Sequence, residues 1–156
     1  MKEQRRGKRI AMTPDEMDAF LQEQRTCHLA SIGPDGSPHV SPLWFVWDGS
    51  AFWLTSVVKS QRWVNVMRDP RVSVMIDGGV DYFELCGVEL TGSVEVVGEV
   101  PRTSAPDASV DVPERLFGAK YSGGAYQPDG KHAWLRLTPE KIVSWDFRKN
   151  PALSRD

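Results

Sequence analysis

The residues with the most chemical promise lie in one stretch, Thr55 to Arg71 (TSVVKSQRWVNVMRDPR). Thr55 and Ser56 end a strand-like run, and Lys59, Ser60 and Arg62 fall at or just before the start of a helix. Unsatisfied backbone N–H groups and the positive end of the helix dipole favour an anion at such a place. A hydroxyl, an ammonium and a guanidinium add charge-assisted hydrogen bonds, which suits a phosphate. The same residues also fit a solvated helix start carrying ordinary surface cations, and the spacing alone does not separate the two.

Other chemistry is thinly represented. His28, His39 and His132 have no metal-ligand spacing, and no metal is expected. No GxSxG, HExxH, GxGxxG or GxxxxGK[ST] pattern occurs, which counts against a hydrolase, a kinase or a doubly wound dehydrogenase. No histidine–carboxylate pair or activated nucleophile is identifiable, so the catalytic residues stay unknown. Cys27 and Cys86 form no CxxC and read as small, half-buried strand residues.

The elements that must position these groups are short strands. Thr13-Pro14-Asp15-Glu16 is a helix start with a capping box, followed by the apolar face Met17, Phe20 and Leu21. Strands are expected over Thr26 to Ile32, Ser37 to Trp47, Ala51 to Ser56 and Arg71 to Asp77. Pro38 and Pro42 place the second of these at an edge, at a bulge or against a ligand. A helix over Ser60 to Arg68 should bury Trp63, Val66 and Met67, with Asp69-Pro70 as its stop. From Val88 to Val97 apolar and polar residues alternate, the clearest strand signal in the chain. A short helix at Pro113 to Tyr121 lies between two loops, and His132 to Thr138 with Lys141 to Phe147 reads as a closing strand pair. Many strands and few helices predict a mainly β, antiparallel barrel of about six strands.

With 156 residues, 40% of them hydrophobic, the chain suits one domain over 12–148, between a basic flexible arm (1–11) and a tail (149–156). The first ten residues carry five basic side chains against Glu3, although the whole chain is at −2. A solvated terminus accounts for that arm better than contact with nucleic acid or with an anionic ligand tail does. The polar N-terminus and the lack of any long apolar run point to a cytoplasmic protein with no membrane span.

The order of helix, GPDGSPHVSPLWFVWDG, FWLTS, KSQRWVNVMRDPRVSV and VELTGSVEVV resembles the FMN-binding split β-barrel superfamily, to which pyridoxamine 5′-phosphate oxidase belongs. The likeness covers about residues 13 to 147. PLWFVWDG and the ending HAWLRLTPEKIVSWDFRK are similar to the actinobacterial branch that uses the deazaflavin coenzyme F420. The resemblance implies a homodimer that transfers hydride from reduced F420 to an electron-poor small molecule, with FMN as the alternative cofactor. A non-catalytic flavin, deazaflavin or haem carrier is a third possibility. Pro42, Leu43 and Trp44 would line the ring, with Thr55 and Ser56 beside it and the ribityl chain. Lys59, Ser60, Arg62 and Asn65 would hold the phosphate and the chain beyond it, and Tyr82 would come from the partner subunit. No single acid–base side chain is expected to be indispensable, since the completing proton can come from water or from a replaceable donor such as Tyr82 or Tyr126. Ser60-Gln61-Arg62 departs from the Arg-Lys pair that follows the serine in FMN-using oxidases. Trp134-Leu135-Arg136-Leu137 is not their arginine–histidine substrate motif, which disfavours vitamin B6 oxidation.

Overall fold

Apolar alternation along six segments leaves each strand with one face to hide, and they hide it by closing on one another. The computed structural model describes residues 1–150 and Ala152; the rest of the expected tail lies outside the described residues. Strands β1 (Thr26–Ile32), β2 (Pro38–Trp47), β3 (Phe52–Val57), β4 (Arg71–Gly78), β5 (Cys86–Val97) and β6 (His132–Asp146) form a closed antiparallel barrel. Their order is β1-β2-β3-β6-β5-β4, and β4 returns to β1. The inward face holds Leu29, Phe45, Phe52, Leu54, Val74, Ile76, Val88, Leu90, Leu135 and Leu137, all buried.

Helix α1 (Pro14–Glu23) starts at the expected capping box and packs Phe20 and Leu21 onto the barrel. Helix α2 (Gln61–Arg68) is capped by Ser60, whose hydroxyl accepts the Trp63 N–H at 3.2 Å. Its buried face differs from the expected one. Trp63 and Val66 are buried, but Met67 is exposed, and Arg62 and Asn65 take the remaining inward positions. The helix packs over polar groups of the barrel wall as well as apolar ones, so hydrophobic spacing alone gave its rotation wrongly.

The two closing strands are one. β6 runs unbroken for 15 residues, pairing with β3 through its first half and with β5 along its length. Pro139 and Glu140 read as a turn, but they form a bulge: Pro139 lies opposite Gly92 and Lys141 opposite Thr91, leaving Glu140 as the extra residue. The Glu140 carbonyl accepts the Lys2 N–H at 2.6 Å. The Gln4 side-chain amide donates from Nε2 to the Ser144 carbonyl at 3.1 Å and accepts the Ser144 N–H at Oε1 at 3.0 Å. The basic N-terminal segment thus lies along β6.

The closed barrel splays apart at one end of the β2–β3 seam. β2 and β3 pair only through Phe45–Trp47 and Phe52–Leu54. Beyond that point Pro38–Trp44 keeps only β1 as a neighbour, and Thr55–Val57 keeps only β6. Pro42 therefore stands on an edge, where its missing N–H costs nothing. Helix α2 packs against β1, β2 and β3 at this seam. A second apolar cluster lies elsewhere on the barrel. Val46, Ala51, Trp53 and Trp134 pack under α3 (Asp111–Phe117) and the segment after it, through Val110, Leu116, Phe117, Tyr121 and Tyr126.

Candidate functional site

Arg62 reaches from α2 into the split. Its Nε donates to Ser56 Oγ on β3 at 3.1 Å, and one terminal nitrogen donates to Ser41 Oγ on β2 at 2.6 Å. The guanidinium thereby ties together two strands that no longer pair. Asn65, one turn on, donates to Ser31 Oγ on β1 at 3.1 Å and accepts from Gln61 at 2.9 Å. Arg62 is only 8% exposed, and among the described residues no carboxylate pairs with it. Burial pulls its pKa down, opposed by the nearby Cys27, but a guanidinium stays charged at any ordinary pH. Burial pushes the Cys27 thiol up to about 12, which leaves it inert. A buried cation with only hydroxyl partners is costly unless an anion completes it.

Arg62 forms part of a cleft of about 400 Å³. One wall is Pro42, Leu43 and Trp44 of β2, with Thr55 of β3. The facing wall comes from α3, the following loop and the first residue of β6: Phe117, Tyr126, Gln127, Asp129 and His132. Trp44, 47% exposed, lies flat on Tyr121 with ring centroids 4.4 Å apart and an interplanar angle of 10°. Trp47, Trp53, Trp63 and Trp134 are buried instead. Tyr121 is fixed in turn: its single O–H is placed between the Phe45 and Arg25 carbonyls, each 2.7 Å away, and its oxygen accepts the Phe45 N–H at 3.1 Å.

A tight chain reversal makes the second wall. Gly118 begins a π-type turn (Gly118–Ser122), and a Cβ there would collide with the Gly124 carbonyl. The loop folds back at that point, bringing Tyr126 against Phe117 and Trp134 at centroid distances of 5.4 Å each. Burial raises the Tyr126 pKa, against a hydrogen bond with Thr55 that lowers it. At the end of the loop His132 Nδ1 lies 2.7 Å from Asp129 Oδ2. Asp129 Oδ1 accepts the backbone N–H groups of Lys131 and His132, at 2.9 and 3.0 Å. Burial works against the charge of Asp129, but these bonds and the imidazole hold its pKa below the ordinary carboxylate value.

Pro42, Leu43, Trp44, Thr55 and Arg62, which the family resemblance implies as site residues, line one cleft, and Ser56 stands behind it as a partner of Arg62. The others fall outside the lining. Lys59 is exposed, Ser60 caps α2, and Asn65 is fully buried against β1. Tyr82, in the turn after β4, is 61% exposed and packs on Phe147. Sequence reasoning found no histidine–carboxylate pair. Asp129 and His132 form one, separated by three positions in a glycine-containing loop and linked by an Asp turn. Asp-Gly-Lys-His carried that signal, since Asp side chains commonly bond backbone N–H groups two and three residues on.

A larger groove, about 710 Å³, lies between the N-terminal segment and β5–β6. Its Lys2, Arg5, Arg6 and Lys141 side chains are on the surface, and it shares no lining residue with the cleft. The cleft, with its buried cation and flat aromatic, is the better candidate.

The family model for pyridoxamine 5′-phosphate oxidase matches residues 13–146. The chain belongs to this family. No curated protein matches it. Among solved structures, this family member is similar to a conserved hypothetical protein from Mycobacterium tuberculosis, at 32% identity and a TM-score of 0.76, with 95% of this chain and 92% of that one covered. It is also similar to an F420 reductase, at 24% identity and a TM-score of 0.59, covering 80% and 94%. A third likeness is to the haem storage protein HutZ from Vibrio cholerae, at 19% identity and a TM-score of 0.67, covering 83% and 93%. The last two show the shared fold. Among the described residues no helix is long and apolar enough to cross a membrane.

Proposed function

We propose that this family member is an oxidoreductase that binds a phosphate-bearing flavin-type cofactor in the β2–α3 cleft and reduces an electron-poor organic molecule there. The observation that carries the reading is Arg62, a buried guanidinium on the cleft with two hydroxyl partners and no carboxylate. A phosphate supplies the missing charge. Trp44 offers a flat ring braced from behind by Tyr121, which suits one face of an isoalloxazine or its deaza analogue.

Coenzyme F420 is the preferred occupant and FMN the alternative. The missing Arg-Lys pair and the similarity to an F420 reductase support that order. The bound cofactor supplies hydride. The chain's own residues hold its anionic end at Arg62, fix the ring plane at Trp44, and narrow the access of water through Phe117 and Tyr126. An absorption spectrum taken after mixing the protein with each cofactor and desalting tests the reading. Retained F420, or FMN at a lower occupancy, is the expected result. Passage of both through the column unbound would overturn it.

A homodimer goes with this site. Val40, Trp44 and Met75 are 65%, 47% and 42% exposed on one continuous outer face, with Pro42 and His28 between them in register. A second copy packed on that face covers apolar surface and closes the cleft beside Trp44, with Tyr82 of the partner subunit as an added lining group. Light scattering should give twice the 17.5 kDa chain mass. A haem carrier is the second reading, favoured by one observation: Asp129 holds Nδ1 of His132, an arrangement common behind a metal-bound imidazole. A Soret band on haem addition, lost in His132→Ala, would support that reading.

A further inference from the structure

We propose that His132 is a catalytic residue of this cleft, the proton donor that completes reduction of the bound acceptor, with Asp129 as its positioning residue. The proposal rests on the reductase reading above and goes beyond it, because hydride delivery alone leaves an anion that must be quenched.

The imidazole is held at a defined place. His132 opens β6, opposite Val57 of β3. Its carbonyl accepts the Arg102 N–H at 2.7 Å, and the Lys131 carbonyl accepts the Val58 N–H at 3.0 Å. The backbone is therefore fixed on the barrel rim. The Asp129 carboxylate is fixed too, by the two N–H groups of its own turn. With Nδ1 bound to that carboxylate, Nε2 is the nitrogen left to act, and it has no partner among the described residues. His132, Asp129, Arg62 and Trp44 line the same cleft.

Neighbouring charges agree with the role. The Asp129 carboxylate faces Nδ1 of the ring at 2.7 Å. Lys131 is exposed, and Arg62 lies on the cleft lining, available to a phosphate. Arg102, beside the His132 carbonyl, is already neutralised by Glu114 at 2.6 Å, with Glu99 at 3.6 Å. Tyr126 is the competing donor. Burial raises its pKa, and a hydrogen bond ties it to Thr55, so it gives up a proton less readily near neutrality.

In a conjugated enone, hydride supplied by a bound reduced cofactor would form the new C–H bond at the β-carbon while the C=C electron pair moves toward the carbonyl, leaving an enolate. The His132 Nε2–H bond breaks, its electron pair stays on the imidazole, and the proton forms the new bond at the α-carbon. Solvent then restores the proton on the ring.

The test uses the full-length protein loaded with chemically reduced cofactor, 2-methylcyclohex-2-enone as the probe, and D2O as solvent. Wild type is expected to place deuterium on one face of the α-carbon. His132→Gln is expected to slow product formation by about 10²–10⁴-fold, to place deuterium on both faces, and to keep cofactor affinity and melting temperature. Asp129→Asn should show a smaller loss of rate and of facial selectivity. Nitrogen-15 NMR of the cofactor-free protein provides a readout independent of turnover: the Nδ1–H signal of His132 should change in Asp129→Asn. Retention of rate and facial selectivity in His132→Gln would overturn the proposal while leaving the reductase reading intact. Cofactor-loaded wild type that leaves the enone unreduced would remove both. A haem Soret band that disappears in His132→Gln would reassign the imidazole as a metal ligand.

Discussion

The two walls of the cleft are built in different ways. The β2–α2 wall is woven into the barrel: Arg62 bonds two strands, Asn65 bonds a third, and Leu43 points into the core. The α3 wall is a loop laid over an outer aromatic cluster, held by Phe117, Tyr121 and Tyr126, with half-buried or exposed residues at its end. One wall is fixed by the fold and suits the constant part of a ligand. The other can vary without disturbing the barrel and suits the choice of acceptor and the placing of a proton.

The largest effect should come from separating these roles by mutation. Arg62→Ala is expected to weaken cofactor binding by about ten- to a hundred-fold, the cost of about 1.5–3 kcal/mol for hydrogen bonds to a charged group. His132→Gln on the facing wall should leave that affinity unchanged in the same fluorescence titration. Equal losses in the two variants would erase the distinction between the walls.

Gly118→Val attacks the loop wall. The added side chain meets the Gly124 carbonyl, and overpacking of this kind costs about 1–3 kcal/mol. Thermal melting should drop accordingly, whereas FMN affinity falls less than in Arg62→Ala. Trp44→Ala touches the seam between the walls. Loss of one stacked aromatic face is worth about 0.5–1.5 kcal/mol, or roughly two- to twelve-fold in dissociation constant, and stability should fall by a similar amount because Trp44 also stacks on Tyr121.

A further effect concerns pH. Lys120, next to Tyr121 behind the loop wall, sits 4.0 Å above the Phe45 ring, and burial, with Arg25 nearby, lowers its pKa to about 8 from 10.5. Between those values the unfolded chain binds the proton and the folded one does not, so this group adds stability as pH rises from about 8 to 10.5. Below that window its contribution is unfavourable. Lys120→Met should remove this slope from the melting-temperature profile.

The contrast between the walls also decides what the sequence could reveal. The barrel was legible because strand alternation in Val88 to Val97 and the capping box at Thr13 are local signals. The β2–α2 wall was legible as well, since Thr55, Arg62 and the PLW run lie in short segments of recognisable order. Arg62 itself was expected at an open helix start, and its burial followed from tertiary packing that periodicity does not report. The loop wall stayed hidden. Tyr126 and His132 meet β3 and the cleft only because Gly118 permits the reversal, and β6 stays whole only because Gly92 accepts a bulge at Glu140.

The central claim is that Arg62 recognises a cofactor phosphate in the β2–α2 wall. The most direct measurement compares FMN with riboflavin, which lacks only that phosphate, in equilibrium titrations of wild type and Arg62→Ala. Wild type should prefer FMN by about ten- to a hundred-fold. In Arg62→Ala the two should bind alike. A preference for FMN that survives the substitution would contradict the claim and move the phosphate to another part of the molecule.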